Sequence, residues 1–390
     1  MAIVAGYERR QWMMRLRNAL STISNCMMMP TISSKILADF SLPVTDQLRL
    51  GARSAVVVPL PPGSSWSGGF DAVLEPLPFD VRYMLHACIA ARKIHIVDDR
   101  DAVNLAAALS RCSADCAIDI LADVYGCHEG ATTAEIIADY DAATDAVPDT
   151  ETTPSLVRTR RVLVTPLTAY PQPPEVEEGN RVLRAFPSLV DRFMRVTFCD
   201  ENLSSVLGAR PGDILDRSGR VHRVMNNGLR VAGRLFKFLA YFNSQLREQS
   251  CWMYEEVPRE GEDKPPLAEE IRASIGDMSK ISFVGKKAAR IGQAFSNTRR
   301  VATLPGSRVT TINDVERNGY CYTDGVGMIS LGLAIEAALA LGMRSTPSAF
   351  QVRFAGSKGV VAVWPHATPD LVLRPGMNKF DSANSTNDLE

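Results

Sequence analysis

Nothing in these 390 residues reads as a membrane span, a disulfide scaffold or a complete nucleotide-binding fingerprint. No apolar run approaches the roughly 18 to 20 residues that a membrane-crossing helix needs. The cysteines at 26, 88, 112, 116, 127, 199, 251 and 321 are scattered without paired spacing, and no charged-then-apolar leader opens the chain. Both absences point to a reducing interior, nucleus or cytoplasm. Cys112, Cys116, Cys127 and His128 do not make two Cys-x-x-Cys knuckles, and adjacent Cys127 and His128 would chelate one tetrahedral ion awkwardly, so no zinc site is expected. Asp139, Tyr140 and Asp141 run into Ala142 and Ala143 where a metal motif would need Gly-Asp, which reads as an acidic loop. Asp324-Gly-Val-Gly327 contains a Gly-x-Gly, and nothing around it completes a Walker or dinucleotide motif.

What is present is the material of a globular protein. A hydrophobic content of 46% supports real cores, and the length suits two or three domains. The net charge of −1 conceals a partition. Val97 to Thr152 carries 13 acidic residues against 2 basic, Arg181 to Arg247 carries 12 basic against 5 acidic, and Ser274 to Phe380 carries 13 basic against 6. The two basic regions are the ones suited to face phosphate. Composition breaks divide the chain into 1–154, ending in an acidic loop; 155–258, mixed β and α; an acidic, proline-rich excursion at 259–273; and 274–390.

Periodicity places the elements. Met1 to about Leu50 reads as mixed helical material, followed by a β-type run at Ala55 to Leu60 that Pro61 and Pro62 end. Phe79 to Ala91 is helical, Arg161 to Thr165 and Arg192 to Phe198 are strands, and Leu229 to Phe242 is two strands about Gly233. Pro171, Pro173 and Pro174 predict an extended connection into a helix near Val176 to Ala185. Gln245 and Arg247 suit sugar and phosphate contacts in a groove, and equally suit helix-start chemistry at Asn243 and Ser244. Lys286 to Asn297 is an amphipathic helix with Ala288, Ile291 and Phe295 on one face and Lys286, Arg290, Gln293 and Asn297 on another. Tyr320 to Ser330 reads as a strand, and Ser330 caps a helix from Leu331 to Leu341 that Gly342 ends.

The most informative stretch is Phe350 to Phe380. Phe350, Val352 and Phe354 alternate with polar residues, as in a half-buried strand, while Val360 to Trp364 is a continuous apolar run suited to burial on both faces. Between them lies a Gly-x-Lys-Gly turn, Gly356 to Gly359, which holds Lys358 on a tight tip. Arg374, Asn378 and Lys379 follow the third run, Leu371 to Leu373, so that Lys358, Arg374 and Lys379 can converge on one anion. A surface hairpin with solvated charges has the same pattern.

Seven blocks, in order, resemble the eukaryotic cellular RNA-dependent RNA polymerases of RNA silencing. They are Arg160 to Pro166 (RRVLVTP), Gly179 to Arg184 (GNRVLR), Asp191 to Glu201 (DRFMRVTFCDE), Gly233 to Tyr254, Ala289 to Ser296 (ARIGQAFS), Asp314 to Ser330 and Phe350 to Asp381, with a fainter match at Leu77 to Ile94. The resemblance implies an α+β fold of the two-barrel polymerase type, with a first double-psi β-barrel starting near Ile281. It also implies an RNA-directed RNA polymerase that copies single-stranded RNA into double-stranded RNA from nucleoside triphosphates, with silencing-pathway proteins as partners and no membrane. Family enzymes hold Mg2+ on an Asp-x-Asp-Gly-Asp motif, and this sequence has none. No catalytic residue and no metal ligand is therefore assigned, and the chain reads as a truncated piece, inactive alone; a non-catalytic RNA-binding protein or a pseudogene product is the alternative. By the resemblance, Lys358 and Lys379 correspond to barrel lysines that contact triphosphate or RNA phosphates, with Arg374 beside them, and Lys287, Arg290 and Gln293 match the family's helix. Met328 stands where many relatives carry a basic residue, which leaves Asp324, Gly325 and Gly327 as a structural turn.

Overall fold

The computed structural model describes residues 56–57, 70–96, 98–127, 130–142, 156–205, 220–242, 244–245, 248–257, 265–382 and 387–390. The fold is α+β and divides into two compact units, one comprising Met1–Pro154, Arg158–Glu177 and Ser188–Ala268, the other Ser155–Val157, Glu178–Pro187 and Glu269–Glu390. Among the described residues no helix is long and apolar enough to cross a membrane.

In the first unit, helices Phe79–Ala90, Asp99–Leu109 and Ala114–Gly126 pack around Leu85, Leu105 and Leu121, each almost fully buried. Side-chain caps set where two of them begin: Asp98 accepts from the Asp101 N–H at 2.9 Å and Ser113 from the Cys116 N–H at 3.3 Å. Strands β1 (Val56–Val57), β2 (Ile94–His95), β3 (Ala131–Thr132), β4 (Leu156–Val164), β5 (Ala169–Glu178), β6 (Phe193–Phe198), β7 (Leu229–Val231), β8 (Arg234–Ala240) and β9 (Ser250–Glu255) follow. All but β2 and β3 form one seven-stranded sheet in the order β1-β7-β8-β9-β6-β4-β5. The stretch with Pro171, Pro173 and Pro174 is thus a strand, not a bare connection, and it takes the outer position of the sheet, the place where a sheet tolerates proline. Tyr83 ties helix Phe79–Ala90 to this sheet: its hydroxyl lies 2.7 Å from the Arg161 carbonyl and accepts from the Arg161 N–H at 3.1 Å.

The second unit contains β10 (Ala302–Thr303), β11 (Val309–Thr311), β12 (Glu316–Arg317), β13 (Tyr320–Cys321), β14 (Val326–Ile329), β15 (Ala349–Phe354), β16 (Ser357–Val363), β17 (Leu371–Leu373) and β18 (Asp388–Leu389). A half-barrel sheet runs β11-β17-β14-β16-β15, with β11 parallel to β17, β14 parallel to β16, and the other neighbours antiparallel. Val352, Phe354, Val361, Ile329, Leu371 and Leu373 point into its core against Leu333 and Ala334 of helix Leu331–Ala340. Ser330 starts that helix by accepting from the Leu333 N–H at 3.1 Å, and Gly342 follows it with φ of 68°.

Several local expectations change. Val360 to Trp364 is not covered on both faces: Val360 and Trp364 are exposed at 40% and 54%, because β14 and β15 flank β16 edge-on while one face stays open. Tyr320 to Ser330 is broken at Tyr322–Gly325 into two strands of different sheets. Asp139–Ala142 ends helix Thr133–Ala142 instead of opening a loop. Of the run Ala55 to Leu60, Val56–Val57 is described and pairs with β7. The expectations for Met1 to Leu50, His128, Asn243 and Arg247 lie outside the described residues.

Candidate phosphate-binding site

The site grows from the β15–β16 hairpin. Its turn is Ala355 and Gly356, with φ of 43° and 83°, the left-handed backbone that a two-residue hairpin turn requires. This register moves Lys358 off the tip and into β16, directly opposite Arg353 on one face. The sequence pattern located the hairpin but not its turn, since an alanine takes a backbone usually left to glycine, asparagine or aspartate.

Two further segments converge on the hairpin. The loop after β17 lies across the turn: the Lys379 N–H donates to the Gly356 carbonyl at 3.0 Å, Ser357 and Asn378 form a β-bridge, and the Phe380 carbonyl occupies the space a Gly356 Cβ would need. Helix Val284–Gln293 brings its last turn to the strand, where Arg353 Nη1 donates to the Gln293 carbonyl at 3.0 Å and to the Ser296 hydroxyl. Arg290 is on that turn, and its Nε is buried without a hydrogen-bond partner among the described residues.

The result is a cluster of like charge. Burial pushes the Lys358 ammonium below the usual lysine value, and Arg353, Arg290 and Lys379 push it further in the same direction. Burial likewise lowers Arg353, opposed by the Glu390 carboxylate. Glu390 is itself engaged by Arg184 at 2.7 Å. Among the described residues Lys358 makes no ion pair within 4.0 Å, so the charges nearest its ammonium are other cations. Arg181, Gln293, Arg353, Ser357 and Glu390 line a depression of about 20 Å³, room for roughly one water.

Lys358, Lys379, Arg290 and Gln293 are therefore brought together, the last through its backbone carbonyl. Lys287 is not among the charges acting on Lys358; it acts with Lys280 on Asp277, whose carboxyl is held low first by the Ser279 backbone N–H. Arg374 is buried and donates to the Asn313 carbonyl, which ties its guanidinium into the fold. Gln245 is fully buried in the first unit; its Oε1 accepts from the Phe242 N–H at 3.3 Å, while its Nε2 has no hydrogen-bond partner among the described residues. Gly325 takes φ of 70° and Asp324 is exposed. A Cβ on Gly327 would overlap the Val372 carbonyl and one on Gly359 the Gly325 carbonyl, so these glycines let backbones cross behind Lys358. Arg353 is the member that sequence reasoning does not single out. Its signal is register: a two-residue turn after Phe354 makes Arg353 the partner of Lys358.

A family model described as RNA dependent RNA polymerase matches residues 164–390. RNA-dependent RNA polymerase 1 of Arabidopsis thaliana is 39% identical over 248 residues, covering 60% of this chain and 22% of that protein. RNA-dependent RNA polymerase 1 of Schizosaccharomyces pombe is 34% identical over 241 residues, covering 60% of this chain and 19% of that protein. The chain thus spans about a fifth of the length of these curated relatives. In fold it is similar to the RNA dependent RNA polymerase QDE-1 from Thielavia terrestris, with a TM-score of 0.55 at 17% identity over 84% of this chain and 37% of that one.

Proposed function

The chain belongs to the RNA dependent RNA polymerase family, and on that premise we propose that it supplies the phosphate-binding surface of an enzyme that copies single-stranded RNA into double-stranded RNA for silencing. The half-barrel is the first double-psi barrel of that enzyme. Arg290, Arg353, Lys358 and Lys379 hold phosphates of the RNA strand or of the incoming nucleoside triphosphate. The observation that carries this reading is the convergence of four cations from three segments, with, among the described residues, only positive charges acting on Lys358. Such a cluster costs stability in the free protein and gains it when phosphate arrives, Arg giving a planar fork of donors and Lys a point charge.

Family enzymes use Mg2+ to activate the attacking hydroxyl and stabilise the leaving pyrophosphate. The described residues do not fit that ion: no three His, Cys, Asp or Glu side chains among them stand close enough to hold a metal, and the cluster at Lys358 is cationic. What this chain's residues do is bind and orient phosphate.

The test is fluorescence anisotropy of the full chain with a single-stranded RNA bearing a 5′-triphosphate, repeated across salt concentrations. Binding weakens steeply with salt, and Lys358→Ala and Lys379→Ala each reduce the slope of log K against log salt by about one. Unchanged affinity and slope in both variants would sink the assignment.

A further inference from the structure

The short ribbon β12–β13 stands in solvent and has no role in the phosphate site. Its turn, Asn318 and Gly319, has φ of 53° and 75°, the same two-residue geometry as the hairpin of Lys358. Pairing sets Arg317 opposite Tyr320, and the Tyr322 N–H donates to the Val315 carbonyl at 2.9 Å, so the ladder extends one step further. Tyr320 and Tyr322, two apart, therefore share one face with Arg317 and Val315. Tyr320 is 71% exposed and Tyr322 65%. Two tyrosine rings on one side of a two-stranded ribbon present flat π-faces with a polar tip, a surface on which planar groups stack.

The ribbon is fixed to the cationic cluster. Asp314 at its base accepts from the Gly376 N–H at 3.1 Å through one oxygen and from the Thr323 hydroxyl at 2.9 Å through the other, and Lys379 Nζ donates to the Gly376 carbonyl. On its other side Thr323–Gly325 leads into β14, where the Val360 N–H donates to the Gly325 carbonyl at 2.9 Å, two residues beyond Lys358. A ligand whose phosphates lie on Lys358 and Lys379 thus runs past the root of the ribbon.

We infer that Tyr320 and Tyr322, with Arg317 beside them, are a stacking platform for successive bases of single-stranded RNA whose phosphates rest on the Lys358–Lys379 cluster. Aromatic rings stack on any base, Arg stacks on base planes, and neighbouring cations neutralise the backbone; these are the components of sequence-tolerant single-strand binding. The continuity of the ribbon with the segments that carry Lys358 and Lys379 favours a polyanionic ligand over a protein one. This inference rests on the phosphate-binding reading above, and its test separates the two.

Two probes of equal length are used with the full chain: an oligoadenylate and an abasic oligomer with the same backbone. The double variant Tyr320→Ala/Tyr322→Ala weakens oligoadenylate binding by about 30-fold or more and leaves the abasic oligomer unchanged. Tyr320→Phe/Tyr322→Phe restores oligoadenylate binding, which a misfolded ribbon would not allow. Lys358→Ala/Lys379→Ala weakens both probes. If the lysine pair matters and the tyrosine pair changes neither probe, the platform is overturned and the exposed rings belong to a protein contact. If the tyrosine pair weakens both probes equally, base stacking is likewise overturned. If the lysine pair changes nothing, it is the phosphate-binding reading that fails.

Discussion

Lys358 and Arg353 are cross-strand partners, two positive charges placed directly opposite each other on one face of a hairpin. Like charges in that position destabilise a sheet by roughly 0.2–1 kcal/mol. Lys358→Met should therefore raise the unfolding free energy, read from urea titration, by that order while weakening RNA binding. A variant that loses both stability and binding would show that Lys358 serves packing.

The same pair gives a pH prediction. Lys358 is held below its ordinary value by burial, and next by Arg353, Arg290 and Lys379. Between the lowered folded value and the unfolded value near 10.4 the unfolded chain binds the extra proton, so stability should rise with pH through that window. In an NMR titration of labelled lysines Lys358 should titrate below the ordinary lysine value, and Lys379→Ala should move it up. Pyrophosphate should raise it as well, since a bound anion favours the charged ammonium.

Gly356 and Gly359 test the crossing of backbones behind the cluster. Gly356 combines φ of 83° with a Phe380 carbonyl where a Cβ would go, and Gly359 meets the Gly325 carbonyl in the same way. Overpacking of this kind costs about 1–3 kcal/mol or more. Gly356→Ala and Gly359→Ala should each lower the thermal midpoint, whereas Gly306→Ala, with open space around it, should change little.

Asp370 links a helix cap to an ion pair. Its carboxylate accepts from the Ser330 hydroxyl at 2.6 Å and from Arg308 at 2.6 Å, and these two, in that order, hold its carboxyl below the usual range. A depressed carboxylate contributes stability above its unfolded value near 3.9 that is lost as pH falls through the folded value. Asp370→Asn should cost about 1–2 kcal/mol at neutral pH and flatten the acid limb of the pH–stability profile.

Thiol chemistry reports on burial. Cys88 and Cys251 are pushed up to about 12 and Cys199 to about 11, each mainly by burial, while Cys127 and Cys321 are exposed. Iodoacetamide at pH 8 should modify Cys127 and Cys321 within minutes and spare Cys88 and Cys251 until denaturant is added, as peptide mass spectrometry would read.

What the sequence disclosed and what it hid follow one physical line. Local chemistry was legible: Ser330 and Gly342 mark a helix start and stop, Gly233 marks a turn, and the alternation at Phe350–Phe354 marks a strand. Register was not, because it depends on which residues accept positive φ. Ala355 takes that role, and Lys358 moves from a tip into a strand facing Arg353. Burial was hidden as well: Arg374 and Gln245 have side chains suited to phosphate and sugar, and only tertiary packing reveals that one serves the Asn313 carbonyl and the other a turn. The prolines of β5 misled for the converse reason, since an outermost strand has only one paired edge and tolerates proline where a central strand would not.

The pairing of β10 with β18 has a consequence for biosynthesis. Thr303 and Asp388, joined through their side chains at 2.6 Å, are 85 residues apart. At a ribosomal rate of about 5–20 residues per second, β10 waits roughly 4–17 s for its partner after it is made. During that interval its edge is available to other chains, so yield should depend on elongation rate and on holding chaperones, and pulse-labelled proteolysis of nascent chains would time the closure.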